Sequence, residues 1–247
     1  MGRVAAELPA QPDRSLIITC EHATNRLPAR YRNLGLRPEA MASHIAWDRG
    51  ARQVARYCAR QFGCPYHEGK YSRLLIDLNR SPHHPKLIPP IAFGQCVPGN
   101  AGLSREEKRD RFDRYYRPYR EAVIRDIERI LAVKGTCMHI SAHSFTPRLG
   151  KNPRRADIGI LYDPARKLEL EFAERLVTAL REYGFDVRRN YPYRGTADGL
   201  TKFCRRLFAG RPYLGTELEI NQRVLYPIVT PELRRSLKTA IERALTT

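Results

Sequence analysis

Short β-branched apolar runs alternate along the chain with stretches whose apolar residues recur every three or four positions, which predicts strands and helices in succession. The run Ser15–Cys20 reads as a buried strand that ends directly at Glu21-His22. A helix is predicted from about Asp48 to Phe62, with Ala51, Val54, Ala55, Cys58 and Phe62 on one face and Gly63 as its stop. Arg73–Asn79 reads as a second strand. Ser104 and Glu107 form a capping box for a helix of roughly 105–132. Its stripe is Phe112, Tyr116, Tyr119, Val123, Ile127 and Ile130, and Pro118 should kink it. The second half continues with strands Met138–His143 and Asp157–Tyr162, then a helix through Leu168, Phe172, Leu176, Leu180 and Tyr183 closed by Gly184. Strand Tyr213–Ile220 follows. A last helix has Thr230 as N-cap, Pro231 at its first position, and Leu233, Leu237, Ile241 and Leu245 on its apolar face.

Strands alternating with helices imply an α/β fold, a mixed and mostly parallel sheet with helices on both faces. A chain of 247 residues can bury one substantial core. Residues 15–247 are accordingly read as a single domain and 1–14 as an N-terminal tail. Two connections stand apart: a polar loop over 24–37 broken by Pro28, and the stretch 81–103, rich in proline and glycine. A connection as long as 81–103 suggests a functional loop or lid.

Composition changes the picture in one respect. Apolar content of 42% and charged content of 28% are ordinary, but 44 Lys+Arg against 26 Asp+Glu give a net charge of +18. That balance points to an anionic partner, either nucleic acid or a small acidic substrate. Most of the arginines, including the pairs Arg154-Arg155, Arg188-Arg189 and Arg205-Arg206, read as a solvated basic surface. No helix-turn-helix, zinc-finger or aromatic RNA-binding signature accompanies them, so nucleic acid ranks low. The six cysteines form no C-x-x-C pair, and residues 1–14 have no apolar core. Reduced thiols and a cytoplasmic location are the expectation. No apolar run approaches the roughly 20 residues of a membrane span.

Polar residues collect at the ends of predicted strands: His22, Asp77-Leu78-Asn79-Arg80, His143, and Glu217 or Glu219. Open α/β sheets place their ligands there. A catalytic zinc takes three nitrogen or oxygen ligands and keeps a position for water, which it activates near neutral pH. Two histidines and a carboxylate from separate strands suit such a set. Any one of these histidines alone is more often structural than a ligand, and their shared placement brings the two readings level.

The runs Thr19–Arg26, His44–Ala51, Ser72–Arg80, Ser141–Pro147 and Glu217–Gln222 together resemble the N-formylglutamate amidohydrolase family, in family order over residues 15–225. Five ordered motifs are far more specific than one. The family is similar in fold to the zinc carboxypeptidases and aspartoacylase, which also hold a substrate carboxylate with an Asn-Arg pair. The resemblance implies a zinc-exopeptidase-like fold and hydrolysis of N-formyl-L-glutamate to formate and L-glutamate, with zinc or another divalent metal. It implies His22 and His143 as metal ligands, Asn79 and Arg80 as binders of the acidic substrate, and Glu219 as general base. The planar fork of Arg80 matches a carboxylate in a way lysine does not. Arg73 is positioned to stabilise a developing oxyanion. The alternative is a zinc amidase or carboxypeptidase acting on another N-acyl acidic amino acid or a cell-wall peptide.

One departure matters. The carboxypeptidases read His-x-x-Glu, whereas Asn25 stands three residues after His22. The carboxylate ligand must come from elsewhere; Asp48 is favoured and Glu21 is the runner-up. His44 is an outer partner or proton carrier. Plainer roles stand beside these. Asp48 also suits a helix cap, and Glu217 shares a strand face with Glu219. His67, His83, His84 and His139 read as structural or surface, and Trp47 and the tyrosines at 115–119 as packing.

Overall fold

The computed structural model describes residues 15–246, so the tail predicted over 1–14 lies outside the described residues. Six strands form the main sheet: β1 (Leu16–Cys20), β2 (Tyr66–Glu68), β3 (Cys137–Phe145), β4 (Ile158–Leu161), β5 (Val187–Arg189) and β6 (Tyr213–Asn221). Their spatial order is β2-β1-β3-β6-β4-β5, parallel throughout except where β4 runs antiparallel to β6. The longer helices are α1 (Ala51–Phe62), α2 (Arg105–Arg111), α3 (Arg117–Lys134), α4 (Lys167–Glu182), α5 (Leu200–Leu207) and α6 (Pro231–Leu245). Helices α1, α4 and α6 cover one face through a core that includes Ile18, Ile140, Ile160 and Leu218. Helices α3 and α5 cover the other, against Ile17, Cys137 and Tyr213. This is the expected mixed, mostly parallel sheet with helices on both faces. No helix among the described residues is long and apolar enough to cross a membrane.

Strands β3 and β6 are buried along their whole length and paired residue for residue, which sets Ser141 opposite Glu217 and His143 opposite Glu219. Polar side chains in such strands need partners. His139 finds two, with Nε2 at 2.8 Å from Thr19 Oγ1 and Nδ1 at 2.7 Å from the Tyr213 hydroxyl. Burial favours the neutral ring and pushes its pKa down to about 4. A histidine depressed in the native state contributes stability above its unfolded pKa that is lost as pH falls through the native value.

Two predicted elements differ from the structure. Arg73–Asn79 is no strand: it is a chain of turns, closed by Leu75 N donating to Ser72 O and Arg80 N to Asp77 O. Its apolar core is buried as a strand's would be, but its carbonyls are taken by side chains instead of a neighbouring strand. Leu74 O accepts from Asn100 at 2.8 Å, Leu75 O from Arg111 at 3.2 Å, and Leu78 O from Arg120 at 3.1 Å. Arg80 O accepts from the Tyr116 hydroxyl at 2.7 Å. The helix predicted over 105–132 is divided into α2 and α3 by a π-helical turn, Phe112–Tyr116. Pro118 stands directly after that turn, at the start of α3.

Arg205 also departs from the solvated surface expected of its pair. It is buried against Glu169 at 2.9 Å and donates to Gly195 O and Gly215 O, tying α5, α4 and β6 together. Removing one partner of a buried ion pair leaves the other charge uncompensated.

Arg205→Ala is expected to lower stability by about 3–5 kcal/mol, read from urea unfolding at neutral pH. His139 is expected to make stability fall by about 3 kcal/mol between pH 6.5 and 4. In His139→Asn that slope shrinks over the same window, and equal slopes in the two proteins would refute the assignment.

Candidate active site

The cavity lies beyond the carboxyl ends of the central strands. His22 leaves the end of β1, His143 stands near the end of β3, and Asp48 comes from the turn before α1. Asp48 N donates to His22 O at 2.9 Å, which fixes that turn beside β1. Asp48 Oδ2 lies 2.8 Å from His143 Nδ1 and 3.3 Å from His22 Nδ1. One ligand atom from each of His22, Asp48 and His143 lies within 4.8 Å of the others. Asp48 does not cap α1, whose N-cap is Gly50 with no side-chain cap.

Each imidazole presents Nδ1 to Asp48 and its other nitrogen to a carboxylate. His22 Nε2 is 2.7 Å from Asp77 Oδ1. His143 Nε2 is 3.1 Å from Glu21 Oε2, which also accepts from Ser141 Oγ at 2.5 Å. Glu21, the alternative ligand, therefore sits behind His143 and is fully buried. A carboxylate behind a ligating histidine fixes its tautomer and raises its basicity. Two imidazole nitrogens and a carboxylate around one point suit zinc. These residues fit a metal of that kind.

Burial works against every charge here, and partners outweigh it. Desolvation would lower His143, but hydrogen bonds to Asp48 and Glu21 raise its pKa well above the usual histidine value. Desolvation would raise Asp48 and Asp77, but His22 and His143 hold the first below the carboxylate range, and Arg73 and His22 the second. Glu219 is the exception. Burial, reinforced by Asp48 and Glu217 against the pull of His143, pushes it up to about 8, and its Oε2 is buried with no hydrogen-bond partner.

Arg73, Asn79, Arg80 and Glu219 line the same cavity of about 200 Å³, with His44 beside them. The structure thus brings His22, Asp48, Arg73, Asn79, Arg80, His143 and Glu219 to one cavity. Arg73 donates to Asp77 Oδ2 at 2.9 Å and lies 3.6 Å from Asp48 Oδ1. Asn79 Oδ1 accepts from Leu200 N at 2.7 Å, and Arg80 Nη1 donates to Asp198 O at 3.2 Å. His44 Nε2 has no partner, and burial followed by Arg154 and Arg73 lowers its pKa. Glu217 accepts from Thr201 at 2.7 Å. His67 pairs with Asp126 at 2.8 Å, away from the cavity.

Sequence reasoning missed the role of Asp77, which it named without assigning. The signal was an aspartate inside an otherwise apolar buried run. It also missed the rim, where Phe93, Tyr193 and Arg194 stand. Tyr193 and Arg194 reach it because the loop after β5 crosses directly over β4. A Cβ on Gly159 would meet Tyr191 O at 1.6 Å, so only glycine permits that crossing.

A helix-covered mixed sheet that gathers a His-carboxylate-His cluster, an isolated glutamate and an Asn-Arg pair at its strand ends has the make-up of an α/β amidohydrolase. The model of the N-formylglutamate amidohydrolase family matches residues 14–226, and the chain belongs to that family. It is similar to the crystal structure of a gene product from Agrobacterium tumefaciens, with a TM-score of 0.82 and 30% identity, over 94% of this chain and 90% of that one. It also resembles the N-formylglutamate amidohydrolase of Ralstonia eutropha in fold, with a TM-score of 0.66 and 22% identity, over 96% and 95% of the two chains. No curated protein matches the chain.

Asp77→Asn, which keeps the shape but removes the charge behind His22, is expected to weaken zinc binding by about 10–100-fold. Competition with a chromophoric chelator measures it; unchanged affinity would confine Asp77 to holding Arg73 and the local backbone.

Proposed function

We propose that this chain hydrolyses the formamide bond of N-formyl-L-glutamate, giving formate and L-glutamate, with residues 15–247 as one catalytic domain. One observation carries the reading: Asn79 and Arg80 line the same small cavity as the His22–Asp48–His143 donors and Glu219, whose Oε2 is buried without a partner. A divalent metal, zinc by the donor set, would be held by His22, Asp48 and His143 and would supply an activated water and a polarised carbonyl.

The chain's own residues account for the rest. Arg80 directs its guanidinium to a substrate carboxylate, and Asn79 flanks it with an amide whose carbonyl is anchored on Leu200 N. Arg73 is locked by Asp77 and is aimed to receive negative charge as it develops on the carbonyl oxygen. Glu219 takes the proton of the attacking water and returns it to the leaving nitrogen; an elevated pKa serves a base that must also act as acid. His44 stands within the cavity as a further proton acceptor. Cys20, Cys58, Cys96, Cys137 and Cys204 are free thiols, which supports a reducing compartment and a cytoplasmic location.

Formate release from N-formyl-L-glutamate by zinc-supplemented protein tests the proposal; folded, metal-loaded protein without turnover would sink it. Glu219→Gln is expected to retain zinc and lose about 10²–10⁴-fold in kcat. Arg80→Ala is expected to lower kcat/KM by about 10–100-fold, chiefly through KM. Equal losses on a neutral N-formyl amino acid amide would remove Arg80 from carboxylate recognition.

A further inference from the structure

A second cavity, of about 390 Å³, opens between edge strand β2 and helix α3. Its walls are the rings of Tyr66, Tyr71, Tyr115 and Tyr119, and Ile76 and Leu78 add aliphatic surface. Tyr71 and Tyr115 meet edge to face with centroids 5.3 Å apart. Tyr115 belongs to the π-helical turn Phe112–Tyr116, an irregularity that recurs at functional sites. Of the tyrosines at 115–119, Tyr115 and Tyr119 line this space, while Tyr116 packs in the core as expected.

The charges around this cavity are nearly all satisfied. Glu68 accepts from Arg52, Arg56 and the Tyr66 hydroxyl, His67 pairs with Asp126, and Arg114 pairs with Asp110. Lys70, at the exposed mouth, meets no carboxylate within ion-pair distance among the described residues. A ligand that fits offers a flat apolar body for the tyrosine faces and one negative charge for Lys70. That is the chemistry of a small aromatic monocarboxylate.

The cavity also touches the hydrolytic site. The Tyr119 hydroxyl donates to Glu21 Oε1 at 2.9 Å, while Glu21 Oε2 is shared by Ser141 and His143. One carboxylate therefore joins a wall of the second cavity to His143. We propose that this cavity binds a small aromatic monocarboxylate, and that its occupancy alters the catalytic step through Tyr119, Glu21 and His143. The kinetic part rests on the hydrolytic reading above; the binding part does not.

Calorimetric titration of the full chain with benzoate, and with neutral benzamide as control, tests the site. Benzoate is expected to bind one to one, and benzamide about tenfold more weakly. Lys70→Glu should weaken benzoate by about tenfold. Ala122→Phe, on the α3 wall, should fill the space and abolish binding. Arg80→Ala should leave benzoate affinity unchanged. Absence of saturable binding, or binding lost in Arg80→Ala and kept in Lys70→Glu, would overturn the proposal by emptying the site or moving the ligand to the hydrolytic cavity. Lys70→Glu lies on the exposed surface and decides the matter if Ala122→Phe fails to fold. In the kinetic arm, saturating benzoate should change kcat for N-formyl-L-glutamate by about twofold or more with KM unaltered. Tyr119→Phe should keep benzoate binding and cancel that change. A rise in KM alone would mark simple competition and refute the coupling. If wild-type protein releases no formate, the functional reading fails while the titrations still decide the site.

Discussion

Residues 73–80 have no strand beside them, and yet their buried carbonyls need donors. A buried carbonyl left unpaired costs about 1–3 kcal/mol, and four in one short segment would rival the stability of a domain. Asn100, Arg111, Tyr116 and Arg120 supply the donors from outside the sheet. Release from the pleat has a functional consequence. In a strand, Asn79 and Arg80 would point to opposite faces. In the observed turns both line the cavity, together with Arg73. The pair proposed to bind the substrate depends on side-chain support of the backbone that carries it.

The sheet sets the other half of the site by register. His143 and Glu219 are opposite one another on adjoining buried strands, as are Ser141 and Glu217. Four polar positions on two central strands would be costly without pairing. Ser141, His143 and Glu217 find it among their neighbours, whereas Glu219 keeps a buried Oε2 with no partner. Around them, Glu21, Asp48 and Asp77 alternate with His22, His143 and Arg73, so that each of these six groups has an opposite charge in contact. Such a cluster holds its geometry before any ligand arrives, because moving one member exposes its neighbours to the full cost of burial.

Much of this was legible in the chain. The run ending at His22 is β-branched and apolar, the run ending at His143 is buried throughout, and a histidine closing such a run has no packing reason to be there. Asp48 was a choice between capping and ligation, and Gly50 at the N-cap position left its carboxylate available. The strand predicted over 73–79 failed for a definite reason. Its apolar pattern is that of a buried strand, and the partners that make it something else are single side chains 26 or more residues downstream. Arg111 and Arg120 gave no sign of that role, because a buried arginine in a helical stripe has the same letter as a solvated one. Asp77 was visible for a related reason: a carboxylate inside an apolar run needs a nearby cation, and Arg73 and His22 provide it.

The same arginines alter the meaning of the net charge of +18. Arg205 is neutralised inside the fold by Glu169. Arg111 and Arg120 meet no carboxylate within ion-pair distance among the described residues, and their charge rests on aromatic faces instead. Arg111 lies 4.7 Å over Tyr31, and Arg120 lies 4.3 Å over Phe203 and 5.3 Å over Tyr116. Cation–π contact offsets part of the cost of burying such a charge, so the aromatic stripe flanking Pro118 acts partly as counter-charge and not only as packing. Charge used in this way holds carbonyls and is invisible to a ligand. What an acidic ligand meets in the hydrolytic cavity is Arg73, Arg80 and Arg194, the first already engaged by Asp77. Recognition there depends on where those few guanidinium groups point, and the chain-wide excess of positive charge contributes little beyond drawing anions toward the surface.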